Sequence, residues 1–267
     1  MTTATLNDSP RAVSPLSILF SQTRAELTAV LRSPGAVIPT LLFPIMFWLF
    51  FGLPNAKETS SSGFNVGTYI LGSFAMYSMI QTVLFNLAIN ISSELATGWY
   101  RYQRTTPLRV WVMFGAKLLS TLSLALLALV ILLVVGSVTG GVNLPALSWL
   151  SLVARVLLGV LPFAALAVFI GYVARGPNVA SPIINLIFFP MAFASGLFIP
   201  LSGLPKIVQD IAPFLPAYHG GMLARVAVGV PSASSEWVHV ACLLGFTALF
   251  LILAVRAYKR DEGANYR

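Results

Sequence analysis

The chain is predicted to be an all-α membrane protein: six transmembrane helices, an N-terminal amphipathic elbow helix, and a re-entrant outer segment between spans five and six. Three observations predict this. Hydrophobic residues make up 57% of the 267 residues and charged ones only 9%, with a mean hydropathy of +0.86, whereas soluble domains are about a quarter charged. Several apolar runs reach the ~20 residues that a helix needs to cross ~30 Å of hydrocarbon. The runs are continuous and rich in Leu, Ala and Val rather than alternating. In lipid every backbone polar group must be satisfied internally, so this pattern selects helices over a closed barrel.

In chain order, residues 1–15 read as a flexible cytoplasmic N-terminus and 16–34 as the elbow helix. At about 100° per residue, Leu16, Leu19, Phe20, Thr23, Leu27, Val30 and Leu31 share one face, and only Ile18 breaks the pattern. Arg24, Glu26 and Arg32 interrupt the stretch, so it reads as an interfacial helix rather than a span or a signal peptide. Ser33-Pro34-Gly35 makes a sharp elbow into the six-span domain, residues 36–257. Its spans are expected at 36–53, 67–91, 112–138, 149–174, 179–200 and 237–257, followed by a cytoplasmic tail, 258–267.

Basic residues set the orientation. Twelve of the sixteen Lys and Arg fall in the N-terminus, the second and fourth loops and their flanks, and the C-terminus; Lys57, Lys206, Arg225 and Arg155 fall toward the other side. Both termini are therefore expected in the cytoplasm. The net charge of +8 collects at span ends and forms no continuous stripe, which argues against nucleic acid as a partner. Cys242 stands alone, so an intrachain disulfide or a cysteine metal cluster is excluded.

Two polar segments stand out. The loop 93–109, SELATGWYRYQRTTPLR, combines Arg101, Arg104 and Arg109 with Trp99, Tyr100 and Tyr102, a composition suited to a protein contact. In the outer segment 201–236, Leu204, Ile207, Val208, Ile211 and Leu215 follow helical spacing, and Pro200, Pro205, Pro213 and Pro216 limit any helix to a short piece broken near Pro213. His219 and His239 read as isolated surface residues without a role.

Phosphate-binding GxxxxGK[ST], HExxH and GxSxG motifs are absent from the sequence. The span interiors hold almost no ionisable residues, with Lys117 and Arg155 near ends, which leaves a proton relay or intramembrane catalysis without a carrier. Uncharged polar groups do occur there. Tyr69, Ser73, Tyr77, Gln81, Asn86 and Asn90 lie in the second span, Ser181 and Asn185 in the fifth, and Ser73, Tyr77 and Gln81 form one stripe. Such groups join helices or line a path for an amphipathic molecule.

These parts, in this order, resemble the membrane subunit of type-2 ABC exporters, the bacterial drug- and lipid-type permeases. The resemblance runs over nearly the whole chain. It is carried by the elbow with Arg32-Ser33-Pro34, by Glu94, Gly98 and Arg104-Thr105-Thr106-Pro107-Leu108 in the first cytoplasmic loop, and by SGLFIPLSGLPKIVQDIAPFLPAYHGGMLAR (195–225). The first loop departs from the family pattern around its glycine, where Leu95-Ala96-Thr97 precede and Trp99-Tyr100 follow.

The resemblance implies a permease that pairs with a second copy or a paralogue in the bacterial plasma membrane and docks on two copies of a separate ABC ATPase subunit. ATP and magnesium would bind that partner; this chain would carry no cofactor and would not itself be an enzyme. The ATPase contact would use Glu94, Gly98, Trp99, Arg101, Arg104, Thr105, Thr106 and Pro107 of the coupling loop. A cavity between spans two and five would pass a small amphipathic substrate, with Tyr77, Gln81, Asn86, Asn185 and Phe189 as candidates for the path. Export of a lipid-linked glycan, a stand-alone secondary carrier and a membrane-embedded enzyme are the competing readings.

Overall fold

A computed structural model describes residues 14–60, 63–99, 109–231 and 234–265, with the backbone alone for Ala36, Ala264 and Asn265. Among the described residues the regular elements are helices: α1 (Pro15–Leu31), α2 (Pro34–Phe47) continued by a π-helical turn Trp48–Gly52, α3 (Val66–Thr97), α4 (Val110–Gly140), α5 (Ala146–Ala174), α6 (Pro177–Ala194), α7 (Lys206–Ile211), α8 (Pro216–Ala227) and α9 (Glu236–Asn265). Of these, α3, α4, α5, α6 and α9 are long and apolar enough to cross a membrane. The first expected span is a shorter apolar helix, Val37–Gly52. Its last turn widens at Trp48, whose buried ring lies over Gly52; a Cβ there would come within 2.1 Å of the indole.

Local chemistry starts and stops the helices. Ser14 caps α1 by accepting from the Ser17 N–H at 3.2 Å, with Pro15 in the first turn. Asn65 caps α3, accepting from the Thr68 N–H at 2.8 Å while its own amide donates to Ala56 O at 2.8 Å. Gly98 ends α3 in the left-handed region (φ 73°). Helix α3 therefore continues to Thr97, and Glu94, expected in the loop, sits on its final turns. The fifth span stops at Ala194 rather than 200, because Gly196 (φ 75°) turns the chain into the outer segment. That segment is broken where its prolines predict: a 3₁₀ turn at Leu201–Gly203, then α7, a second 3₁₀ turn at Ala212–Phe214, and α8.

Helix α3 is the axis of the bundle, packing against α2, α4, α5, α6 and α8. It is buried nearly all round from Leu71 to Leu84, as a helix surrounded by others must be. Met76 lies where Gly159 of α5 and Gly220 of α8 converge, and a Cβ on either glycine would come within 2.9 Å of it. Helix α9 packs on α5 and α8 and leaves Leu244, Leu249, Leu251 and Ile252 exposed. The bundle has two ends. The foot holds Gly98, the start of α4 and the α5–α6 turn, where Gly176 approaches Ala96. The cap holds residues 53–60, 63–65 and 195–231.

Helix α1 packs against α4 at the foot. Its half-buried stripe includes Ile18, Leu19, Gln22, Thr23, Glu26 and Leu27, while Leu16, Phe20 and Leu31 are exposed. The packed side is thus rotated from the purely apolar face that periodicity defines. Glu26 turns inward because a cation awaits it on α4, and Leu19 packs where Gly115 of α4 leaves room for it.

Candidate functional site

The five residues proposed for a substrate path line one cavity of about 430 Å³. Helix α3 contributes Tyr77, Gln81 and Asn86, with Phe85, Ile89 and Asn90; α6 contributes Asn185 and Phe189; α2 closes the other side with Pro39, Thr40, Phe43 and Phe47. Tyr77 is held among aromatic rings, stacked on Phe188 at 5.3 Å and edge-on to Phe47 at 5.5 Å and Phe198 at 4.9 Å. Asn86 Nδ2 donates to Thr82 O at 3.1 Å and to Thr40 Oγ1 at 3.4 Å, which joins α2 to α3. Gln81 differs from it: its Oε1 is buried and has no hydrogen-bond partner. Asn185 also has none among the described residues. A mostly apolar wall with a few unengaged amides suits an amphipathic molecule, because the amides select a polar group that lipid tails lack.

Ser73 departs from the expected stripe. It is buried, its hydroxyl has no partner, and it does not line this cavity. The aromatic contribution of α2, from Phe43 and Phe47, was not distinguishable in an apolar run that is itself rich in Phe. Thr40, the one polar residue between Gly35 and Asn55, was the available signal.

At the foot, the residues assigned to the ATPase contact separate. Arg101, Arg104, Thr105, Thr106 and Pro107 lie outside the described residues. Gly98 terminates α3 and Trp99 follows it, half-exposed. Glu94 is engaged inside the protein. The Lys117 ammonium on α4, only 2% exposed, donates to Glu26 Oε1 of α1 at 2.7 Å and to Glu94 Oε1 of α3. One cation therefore ties together α1 and both helices that flank the loop. Lys117 had been read only as a charge near a span end.

The two histidines are corrected as well. They are neither isolated nor at the surface: His219 on α8 and His239 on α9 are 3% and 1% exposed, with their Nδ1 atoms 2.9 Å apart. The Pro213 carbonyl, 2.8 Å from His219 Nε2, can only accept, so that nitrogen carries a hydrogen. In two neutral rings His219 Nδ1 then accepts from His239 Nδ1–H. His239 Nε2 in turn accepts from the Ser234 hydroxyl at 2.7 Å. Every ring nitrogen is satisfied without charge. Burial pushes the His219 imidazole below its ordinary range. No group of three or more His, Cys, Asp or Glu suited to a metal occurs among the described residues.

Arg155 on α5 pairs with Glu236 at the start of α9 at 2.8 Å. Arg225 on α8 is 3% exposed; its Nη1 donates to the Tyr69 hydroxyl at 2.8 Å and to Gly196 O at 2.9 Å.

Comparison with known proteins agrees with this architecture. The family model described as ABC-2 family transporter protein matches residues 52–256, from the end of the first apolar helix nearly to the end of the last. The chain is 26% identical over 248 residues to the Bacillus subtilis (strain 168) protein named "Putative transport permease YvfS", covering 92% of this chain and 99% of that protein.

Proposed function

Because the chain belongs to the ABC-2 transporter family, we propose that it is the transmembrane permease subunit of an ATP-driven exporter. It moves an amphipathic substrate, drug-like, antibiotic-like or lipid-like, outward across a bacterial plasma membrane. Two permease copies pair in the membrane, and each docks on a separate ATPase subunit that binds ATP and magnesium. The foot is the cytoplasmic end and the cap is the outer end. The observation that carries this reading is the single cavity between α2, α3 and α6, lined by Tyr77, Gln81, Asn86, Asn185 and Phe189, with Gln81 Oε1 unsatisfied.

The coupling follows from connectivity. Residues 93–109 join α3 to α4, so a push on this segment moves both helices. Lys117 holds Glu94 of α3 and Glu26 of α1 against α4, so the three helices move together rather than splaying. Helix α3 then carries the displacement to Tyr77 and Gln81, about 20–26 Å along its axis from Glu94 at 1.5 Å per residue. A helix packed on five neighbours transmits such a shift instead of absorbing it. Reversing the charges of Arg101 and Arg104 tests the assignment. The variant is expected to insert normally and to lose most of the ATPase co-purification and stimulation. Unchanged co-purification and stimulation would show that the segment is not the contact.

A further inference from the structure

Among the described residues, Arg225 is a buried cation without a counter-charge. Its guanidinium makes two hydrogen bonds to neutral oxygens, both through Nη1, and its carbon lies 5.1 Å from the Tyr69 ring centroid. Among the described residues it has no carboxylate partner. Its Nη2 is buried and donates to nothing. Gly221, one turn earlier on α8, lies against Leu197, whose Cδ2 a Cβ there would meet at 2.8 Å, with Nη2 of Arg225 at 3.5 Å from the same position. A guanidinium keeps its charge when buried, so the usual escape by neutralisation is closed and an anion must supply the balance.

A cavity of about 390 Å³ adjoins it at the cap. Besides Arg225, its polar lining is the Tyr69 hydroxyl, Ser60 and Ser202; the remainder, including Leu201 and Met222, is apolar. Nearby on the cap, Ile207, Ile211 and Phe214 are exposed, an apolar rim that seats this end at the lipid interface where headgroup phosphates stand. We propose that this cavity is an anion site that takes a phosphate group, with Arg225 as its charge partner and Tyr69 and Ser202 as flanking hydroxyls. A phosphate oxygen accepts charge-assisted bonds from a guanidinium, and Nη2 is the nitrogen that has no partner within the chain. The site is separate from the cavity between α2, α3 and α6, and nothing in it depends on transport or its direction.

The experiment uses the purified full chain in neutral detergent and reads the shift of the thermal unfolding midpoint, with native mass spectrometry of retained lipid. Phosphatidylglycerol is compared with diacylglycerol of the same acyl chains, and inorganic phosphate with chloride at matched ionic strength. Phosphatidylglycerol is expected to raise the midpoint and diacylglycerol to leave it unchanged. Arg225→Gln keeps a donor for Gly196 and Tyr69 but removes the charge, and should bind phosphatidylglycerol about tenfold more weakly or worse. Lys206→Gln, which removes an exposed cation elsewhere on the cap, should bind as the parent does. An Arg225-dependent shift with phosphatidylglycerol alone assigns the site to a lipid headgroup; the same shift with inorganic phosphate assigns it to a free anion. Equal binding by parent and Arg225→Gln, equal effects of phosphatidylglycerol and diacylglycerol, or no binding of either phosphate probe overturns the proposal. If Arg225→Gln does not fold, Ser202→Tyr fills the cavity with Arg225 intact and is expected to abolish the shift; retained binding in that variant overturns the proposal equally.

Discussion

The foot and the cap each bury one cation, and they treat it in opposite ways. At the foot, Lys117 faces two carboxyl groups on two other helices. At the cap, Arg225 faces a carbonyl, a hydroxyl and an aromatic ring, and the net charge is positive. A buried ion that loses its partner costs far more than the pair contributes when intact. The foot therefore pairs its cation with acids of the same chain and holds three helices together, although Glu94 Oε2 stays without a partner, whereas the proposed cap site takes its anion from outside the chain.

The largest effect expected from this contrast is at Lys117. Lys117→Met leaves Glu26 and Glu94, both partly buried, near each other without a cation, and should cost up to about 3 kcal/mol, read as a fall of the unfolding midpoint in detergent. Adding Glu26→Gln and Glu94→Gln to that variant should recover most of the loss; failure to recover would mean that packing rather than charge holds the foot. Arg225→Met comes next. It orphans the oxygens that Nη1 served, at about 1–3 kcal/mol, but it also removes an uncompensated charge, so its net cost should be clearly below that of Lys117→Met. A loss equal to the Lys117 effect would erase the comparison.

An uncharged tie marks the lower end. Trp48 Nε1 donates to Thr139 Oγ1 at 2.9 Å, joining α2 to α4, and Trp48→Phe should cost about 1 kcal/mol through that bond, beyond whatever volume the ring loses. The smallest effect depends on pH. The folded His219 sits below its ordinary value of 6.5, so the unfolded chain binds a proton first on acidification. Stability is then full above about pH 6.5 and is lost as pH falls from there toward the folded value. Unfolding midpoints across that window should slope down with acid in the parent and less steeply in His219→Gln; parallel slopes would remove His219 from the account.

The spans were legible because lipid imposes one rule on every residue of a crossing helix. Five apolar runs became helices of membrane-spanning length, and the prolines marked the break near Pro213, whereas the helix ends set by Gly98 and Gly196 fall elsewhere than expected. Polar residues stand out against such runs, which is why Tyr77, Gln81, Asn86 and Asn185 could be picked out of α3 and α6; with Phe189 they line one cavity. Other features depend on distant partners and leave no local pattern. Lys117 and Glu26 are 91 positions apart, and so are Trp48 and Thr139. His219 and His239 read as isolated because 20 positions separate them, although α8 and α9 bring them face to face. The aromatic wall of α2 was invisible for the opposite reason: Phe43 and Phe47 belong to a run in which every neighbour is also apolar.

The most direct measurement is substrate-stimulated ATP hydrolysis by the permease reconstituted in vesicles with its ATPase, screened against a panel of amphipathic compounds. Gln81→Leu combined with Asn185→Leu keeps the cavity's volume and removes its two unengaged amides. The expected result is that compounds stimulating the parent no longer stimulate the double variant, while basal hydrolysis and assembly are retained. Undiminished stimulation in the double variant would contradict the account, because the substrate would then be passing somewhere other than between α2, α3 and α6.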